Sequence, residues 1–205
     1  GCSLDGKLYG TAHFLEHMLF QGTEKYPNEN EYMEFMSNNG GMNNAYTSLT
    51  NTNYHFDCSN DAFPEGLDRL SQFFICPNFS ENSSEREVKA VDSEFNQSLQ
   101  SDMWHFFNLL MRISNKESLL NRFACGNVKS LSNDNIRESL LAFHKKWYSS
   151  NIMTLTVSSK LGIEELEKLA VEKFSPVKNF DVTVPNLGEV TPFPPENLGK
   201  LVKYV

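Results

Sequence analysis

The chain has 205 residues, a formal net charge of −8 at pH 7 and 40% hydrophobic residues, so it can bury a substantial core as one large domain or two small ones. Its acidic balance, without any run of lysine and arginine, argues against nucleic acid or an anionic membrane surface as a partner. No apolar stretch is long enough to span a bilayer.

The cysteines give a first indication about cofactor chemistry. Cys2, Cys58, Cys76 and Cys125 are scattered along the chain without any paired spacing. This distribution predicts reduced thiols, and it argues against a disulfide framework and against a cysteine-based zinc site.

The first predicted helix covers residues 11–21 and contains the sequence HFLEH at residues 13–17. Helical spacing puts His13 and His17 on one side, with Glu16 close to that side. The neighbouring residues are apolar almost all the way round, which is typical of a buried helix. Two imidazoles and a carboxylate in such a helix need a partner, and a zinc ion bound by both histidines, with Glu16 as the base, would satisfy them. The alternative is a pair of core histidines that are hydrogen-bonded to neighbours.

The next elements are a helix, a hairpin and a further helix. Asn28 and Glu31 form a capping box that predicts the start of the second helix. Residues 43–47 and 52–58 are predicted to be strands, because the second of them alternates apolar and polar side chains. His55 falls on the polar face of that strand, so it is predicted to be exposed rather than a metal ligand. A third helix is predicted to begin at Phe63.

A fourth predicted helix carries two glutamates of interest. Ser84 and Glu87 form a capping box that predicts its start. Glu87 and Glu94 are seven residues apart, so they share a line along the edge of the apolar stripe. A carboxylate directed inward there needs a partner. The alternative is an ordinary solvated helix in which Glu87 caps its own first turn.

The second half of the chain is less strongly patterned. The aromatic-rich residues 104–111 are predicted to line the core or a groove, and Ser132 is predicted to cap a fifth helix. Residues 152–157 alternate apolar residues with threonine, which predicts a strand, and residues 164–174 predict a short amphipathic helix. Residues 200–205 are similar to the beginning of a strand, so the chain is expected to be a fragment of a longer protein.

Several motifs occur together in a recognisable order. They are HFLEHMLF at 13–20, GT at 22–23, YP at 26–27, ENEY at 29–32, NAYTS at 44–48, NY at 53–54, LDR at 67–69, QFF at 72–74, EVKAVDSE at 87–94 and YSSN at 148–151. This set resembles the insulin-degrading enzyme branch of the pitrilysin (insulinase, inverzincin) family of zinc metallopeptidases. The resemblance extends from the first residues to about residue 176.

The resemblance implies roles for individual residues. His13 and His17 would be zinc ligands, and Glu94, which lies 94 − 17 = 77 residues beyond the second histidine, would be the third. Glu16 would be the general base that takes a proton from the attacking water. Glu87 would orient a histidine or act through its charge.

The resemblance also implies a substrate site and a domain organisation. Asn44, Ala45 and Tyr46 fall where the family pairs the substrate backbone with an edge strand. Residues 1–176 would be the zinc-binding catalytic domain, the first of four, without its opening strands. Proline-rich residues 177–205 would be a linker towards the next domain. The order of elements predicts an α+β fold, mainly an antiparallel sheet packed by helices.

The predicted function is therefore that of a zinc-dependent endopeptidase domain with one zinc ion per chain. Its partners would be a peptide substrate and the remaining domains of the parent enzyme, and the isolated piece is expected to have little or no activity. One alternative is a non-catalytic binding or scaffolding subunit of the same fold, and another is a structural α+β domain without metal. The presence of all four residues, His13, Glu16, His17 and Glu94, favours the enzyme.

Overall fold

A computed structural model describes residues 1–2, 8–132, 135–186 and 190–203. In chain order its elements are α1 (Thr11–Leu19), α2 (Glu31–Asn38), β1 (Met42–Thr47), β2 (Thr52–Asp57), α3 (Phe63–Ile75), α4 (Glu81–Ser98), α5 (Asp102–Ile113), α6 (Val128–Leu131), α7 (Ile136–Trp147) and α8 (Ile163–Phe174). Two short 3₁₀ turns lie at Ser150–Ile152 and Pro195–Asn197.

Helix α1 lies at the centre of the core, as its apolar surroundings predict. Phe14, Leu15, Met18 and Leu19 are completely buried. The helix packs against α4, α7 and the β1–β2 hairpin, so that neighbours cover it on several sides. Histidines on such a helix can reach solvent only where the surrounding elements leave a gap.

The hairpin forms where the alternating pattern predicts it. Strands β1 and β2 are antiparallel, with Met42 opposite Asp57 at one end and Thr47 opposite Thr52 at the other. On the inner face of the hairpin, the ring of Tyr54 packs against aromatic rings of α3. One of these is Phe73, whose ring centroid lies 6.2 Å from that of Tyr54. The predicted α+β class is confirmed, and within the described ranges its sheet consists of these two strands.

The predicted capping residues of two helices were wrong. Helix α2 begins at Glu31 after Asn30, and Asn28 instead accepts a hydrogen bond from the Asn30 amide at 3.1 Å. Helix α4 begins three residues before Ser84, because the Ser80 side chain accepts the Ser83 amide at 3.1 Å. The prediction failed because several small polar residues that could cap a helix follow one another in both segments. Before α4, Ser80 has the extended backbone that a capping residue adopts.

The aromatic segment after α4 lies outside the core. It forms the separate helix α5, none of whose residues is buried. The side chains of Met103, Phe106 and Phe107 are each more than half exposed. An amphipathic pattern predicts an apolar face, but it does not specify what covers that face.

Two strand predictions in the second half were also wrong. Residues 150–152 form a 3₁₀ turn, and 153–159 have no regular structure. Residues 200–203 of the predicted strand at 200–205 likewise form none, and residues 204–205 lie outside the described residues. A strand requires a hydrogen-bonded neighbour, and no other part of the described chain pairs with these segments. Ser132 follows α6 and does not cap the next helix, because α7 begins at Ile136 after Asn135.

The segment after α8 contacts the rest of the chain at several points. Val177 is buried, the Ser150 amide donates to the Lys178 carbonyl at 3.0 Å, and the Asn197 side chain donates to the Ile113 carbonyl at 2.8 Å. The role of residues 177–205 as a linker stays a prediction. Cys58, Cys76 and Cys125 are free thiols, in agreement with the predicted reduced state. Among the described helices, none combines the length and the apolar character that crossing a membrane requires.

Candidate metal centre

Three side chains from two helices converge at one point beside α1. His13 and His17 lie one turn apart on α1, and Glu94 comes from the second half of α4. The two Nε2 atoms are 3.3 Å apart, and Oε2 of Glu94 lies 3.6 Å from Nε2 of His13 and 3.5 Å from Nε2 of His17. Within the described ranges, this is the one cluster of three histidine, cysteine or acidic side chains close enough to share a metal ion.

Each imidazole is oriented by a hydrogen bond at its other nitrogen. Nδ1 of His13 donates to the backbone carbonyl of Cys125 at 2.7 Å, since a carbonyl can only accept. Nδ1 of His17 faces Oε2 of Glu87 at 3.2 Å, and Gln21 donates to the other oxygen of Glu87 at 3.0 Å. Both Nε2 atoms therefore point towards each other and towards Glu94. Metal-binding histidines are commonly held in this way.

The spacing of the three atoms fits a tetrahedral zinc site. With metal–ligand bonds of about 2.0–2.1 Å, two ligands of a tetrahedron are separated by about 3.3 Å. The observed separations of 3.3, 3.5 and 3.6 Å are close to that value. Two imidazoles and one carboxylate also form a ligand set that zinc accepts while it keeps a fourth position open.

The electrostatics of the site favour positive charge. Burial opposes the charged form of His17, but the hydrogen bonds and negative charges of Glu87 and Glu94 outweigh it and raise its pKa to about 9. The interaction between His17 and Glu94 also acts on the carboxylate. The hydrogen bond from His17 is the main cause that lowers the pKa of Glu94 below its usual range. A cation at this point is therefore stabilised by two carboxylates.

Glu16 lies on the same helix in a much more buried position. Its residue exposure is 7%, and Oε2 accepts a hydrogen bond from the Thr47 hydroxyl at 2.5 Å. Burial raises the pKa of Glu16, although the Thr47 hydrogen bond and the neighbouring histidines act in the opposite direction. A carboxylate with a raised pKa is better suited to accept a proton near neutral pH.

The predicted substrate residues lie on β1, close to the hairpin turn. Asn44 and Tyr46 are exposed, whereas Ala45 is partly buried. They pair with β2 on one side, and the part of the chain that the structure describes has no strand on the other side of β1. Thr47 follows directly, so this open edge continues into the residue that contacts Glu16.

Three contacts of the site were missed at the level of the sequence. Gln21 could have been found, because it lies four residues after His17 and extends the same side of the helix. The side chain of Thr47 lies within the NAYTS motif, but its contact with Glu16 depends on how the hairpin packs. The Cys125 carbonyl carries no sequence signal, because every residue has the same backbone acceptor.

Comparisons with known proteins agree with this arrangement. The family described as Insulinase (Peptidase family M16) matches residues 5–125, a range that includes all the residues of the cluster. A second description, Peptidase M16 inactive domain, matches residues 135–204. Residues 126–134, which include α6, lie between the two matches.

Individual relatives cover nearly the whole chain. The human insulin-degrading enzyme is 42% identical over 96% of it, and the A-factor-processing enzyme of Saccharomyces cerevisiae is 38% identical over 96%. The protein mug138 of Schizosaccharomyces pombe, named as a candidate zinc protease, is 44% identical over 97%. A crystal structure of pitrilysin superposes with a TM-score of 0.88 at 30% identity over 94% of the chain. The chain spans about a fifth of the length of these relatives, between 20% and 21%.

Proposed function

The chain belongs to the insulinase family of peptidases (family M16), and on this basis we propose that it carries the zinc site of a zinc-dependent endopeptidase. The observation that supports the proposal most strongly is the triangle formed by the two histidine Nε2 atoms and Oε2 of Glu94. The chain has a fifth of the length of its relatives, so the complete activity is proposed for a longer parent protein.

His13, His17 and Glu94 would hold one zinc ion per chain. Zinc, when bound, acts as a Lewis acid that polarises a peptide carbonyl and lowers the pKa of water to about 7. The ligands fit this task, because two neutral imidazoles and one carboxylate leave the site with a net charge of about +1. The name of the fission-yeast relative, as a candidate zinc protease, supports the same metal.

Glu16 would act as the general base and then as the general acid. Thr47 occupies Oε2, so Oε1 is the oxygen that would take a proton from the attacking water. The raised pKa of the buried carboxyl would let the same atom return the proton to the leaving amine. Within the described chain, the ligands His13 and His17 flank it on the same helix, which keeps the base beside the reacting groups.

Glu87 would be a positioning residue for His17. Its carboxylate accepts the Nδ1 proton of His17 and is itself held by Gln21. This arrangement orients the ring and increases the basicity of Nε2. Glu87 lies inside α4, six residues after its start, so it does not cap that helix.

The peptide substrate would add as a strand along β1. Asn44, Ala45 and Tyr46 lie on a strand edge that has no neighbour within the described ranges. Backbone hydrogen bonds along such an edge hold an extended peptide without selecting its sequence, and side-chain pockets then add preference. Thr47 would connect this edge to the base. The remaining domains of the parent would complete the substrate site.

A second candidate is a non-catalytic subunit that uses the same fold for binding or scaffolding. The match of residues 135–204 to the inactive domain of the family favours it for that part of the chain. All four residues of the proposed zinc chemistry, however, lie within residues 5–125. We therefore prefer the enzyme.

Metal analysis tests the proposal. The purified chain should bind about one equivalent of zinc, which His13→Ala and Glu94→Ala should each abolish or strongly weaken. His55→Ala is the matched control, because His55 is exposed on β2 and its ring contacts Asn53. Unchanged zinc binding after loss of His13 or Glu94 would contradict the proposed site.

A further inference from the structure

Two glycines hold together distant parts of the chain behind the metal site. Gly10 immediately precedes α1 with φ +89°, and Gly126 lies before α6 with φ +82°. A Cβ atom on Gly10 would lie 2.3 Å from Cα of Gly126, and a Cβ on Gly126 would lie 3.2 Å from Cα of Gly10. A side chain on Gly10 would therefore overlap the backbone of Gly126, and one on Gly126 would be tightly packed against its neighbours. Both residues also adopt a conformation that favours glycine.

This contact lies next to a hydrogen bond of the proposed ligand His13. Cys125 precedes Gly126, and its carbonyl accepts the Nδ1 proton of His13 at 2.7 Å. His13 lies three residues after Gly10, in the first turn of α1. Gly10 is thus close in sequence to the ring of His13, and Gly126 is adjacent to the carbonyl of Cys125. Contact between the two glycines therefore restrains the distance between ring and carbonyl.

The same loop is also attached to the helix that carries Glu94. The Val128 amide donates to Oδ1 of Asp92 on α4 at 2.8 Å, two residues before Glu94. Behind Gly126, the completely buried Leu131 would lie 3.0 Å from an added Cβ, measured to its Cδ1 atom. The segment of residues 125–131, which includes α6, therefore bridges the two helices that supply the proposed ligands.

We infer that the Gly10–Gly126 backbone contact is a positioning element, which holds His13 as the tautomer with its proton on Nδ1 and its Nε2 lone pair towards the metal. The inference deepens the proposed function, on which its metal readout rests. A carbonyl partner cannot donate a hydrogen bond, so it selects this tautomer at any pH at which the ring is neutral. His17 differs, because its partner Glu87 is a carboxylate that also stabilises the charged ring.

The tautomer can be measured directly in the 205-residue chain without metal. Two-bond nitrogen–proton correlation spectra of the imidazoles, in mildly alkaline buffer, should show the His13 proton on Nδ1. In Gly126→Ala the added methyl group would press on Leu131 and Gly10 at a φ of +82°. We expect this to shift the Cys125 carbonyl, so that the spectra show a mixture of tautomers. Zinc affinity, from competition with a chromophoric chelator, should fall about 10- to 100-fold.

Gly40→Ala is the matched control. Gly40 also has a positive φ, of +63°, but an added Cβ would have no neighbour within 4 Å. This variant carries a similar backbone strain elsewhere, so it should lose stability while the His13 tautomer and the zinc affinity stay unchanged. A general loss of stability is thereby separated from a loss of positioning.

Two results would overturn the inference. The first is a wild-type His13 that carries its proton on Nε2, a result that overturns the inference even if Gly126→Ala fails to fold. The second is a folded Gly126→Ala variant with unchanged tautomer and zinc affinity. Absence of zinc binding by the wild type would instead contradict the proposed function, since the tautomer is read in the metal-free chain.

Discussion

The hydroxyl of Thr47 donates a hydrogen bond to Oε2 of Glu16 across 2.5 Å. This bond joins the edge strand proposed to receive a peptide to the carboxylate proposed to move its protons. Thr47 also contacts the hydroxyl of Thr52 at 3.1 Å, across the hairpin. A peptide that pairs with β1 would therefore lie beside the strand that carries Thr47, the residue that orients Glu16.

Replacing Thr47 by valine should disturb Glu16 without changing the volume of the side chain. Loss of a hydrogen bond to a charged group costs about 1.5–3 kcal/mol of the free energy of unfolding at neutral pH. The pKa of Glu16 should rise, because the Thr47 hydrogen bond lowers it. Carbon-13 NMR titration of the carboxyl group measures this change. Thr52→Val is the control, and an equal shift of the Glu16 pKa in that variant would show that the direct bond is not responsible.

Glu87→Gln should weaken zinc binding although Glu87 is not a proposed ligand. The glutamine oxygen can still accept the His17 proton, but the negative charge that supports His17 is lost. We expect zinc affinity to fall about 10-fold, and about 100-fold in Glu87→Ala. Glu85→Gln, at an exposed position on the same helix, should bind zinc like the wild type. If Glu87→Gln and Glu85→Gln bind zinc with equal affinity in a chelator competition, Glu87 does not support zinc binding.

His144 should make the stability of the fold sensitive to pH. Burial lowers its pKa from 6.5 to about 4, and in the neutral form Nε2 donates to the Phe73 carbonyl at 3.1 Å. Between these values the unfolded chain binds a proton that the folded chain does not. The free energy of unfolding should therefore fall as the pH decreases from 6.5 to about 4, by up to about 3 kcal/mol from this residue.

The comparison of two variants isolates that contribution from other titrating groups. Urea unfolding of His144→Gln across the same pH range should give a flatter profile than the wild type. His55→Gln changes an exposed histidine and should retain the wild-type slope. A wild-type slope in His144→Gln would show that His144 does not control this part of the profile.

Asp68 connects three parts of the chain through its carboxylate. Its oxygens accept hydrogen bonds from Lys25 at 2.6 Å and Tyr26 at 2.5 Å, and Lys173 of α8 lies 3.3 Å away. Burial by itself would raise the pKa of Asp68, but these partners outweigh it and lower the pKa. Asp68 therefore contributes fully to the free energy of unfolding at a pH above the usual pKa of a carboxyl group. This contribution is lost as the pH falls through the lowered pKa.

Asp68→Asn should cost about 2–3 kcal/mol at neutral pH. Removing one partner of a fully buried ion pair typically costs about 3–5 kcal/mol of the free energy of unfolding. We expect a smaller loss here, because Lys25 is half exposed and remains partly solvated in the variant. Urea unfolding measures it, and the difference from the wild type should shrink at acidic pH. Asp61→Asn, at an exposed position, serves as the control. A difference that does not shrink as the pH falls would mean that the charge of Asp68 is not the stabilising feature.

The chain alone should bind zinc but hydrolyse peptides poorly. Its described sheet has two strands, and its relatives are about five times as long, so we expect most of the substrate site to be contributed elsewhere. A fluorogenic peptide assay checks this expectation. Hydrolysis that is abolished both by a chelator and by Glu16→Gln would contradict it.

Much of the site could be predicted because its central part is local. His13, Glu16 and His17 lie within five residues, and helical geometry alone relates their directions. Glu94 lies 77 residues beyond His17, and only its place in a longer motif indicated that it belongs with them. The capping residues failed locally, because several small polar residues compete for the position before α2 and before α4. The other predictions that failed were non-local. Residues 153–159 needed a strand neighbour, and α5 needed a covering surface, neither of which a pattern within the segment can specify.

The sequence by itself determined the spacing of the histidine pair, the apolar helix that carries it and the alternation of the hairpin. Only the tertiary structure decided which groups orient the site. The Cys125 carbonyl reaches His13 across 112 residues, and Thr47 reaches Glu16 across 31. The physical reason is that periodicity relates side chains only within one element. Contacts between elements depend on how their buried faces pack, and backbone acceptors are the same at every position.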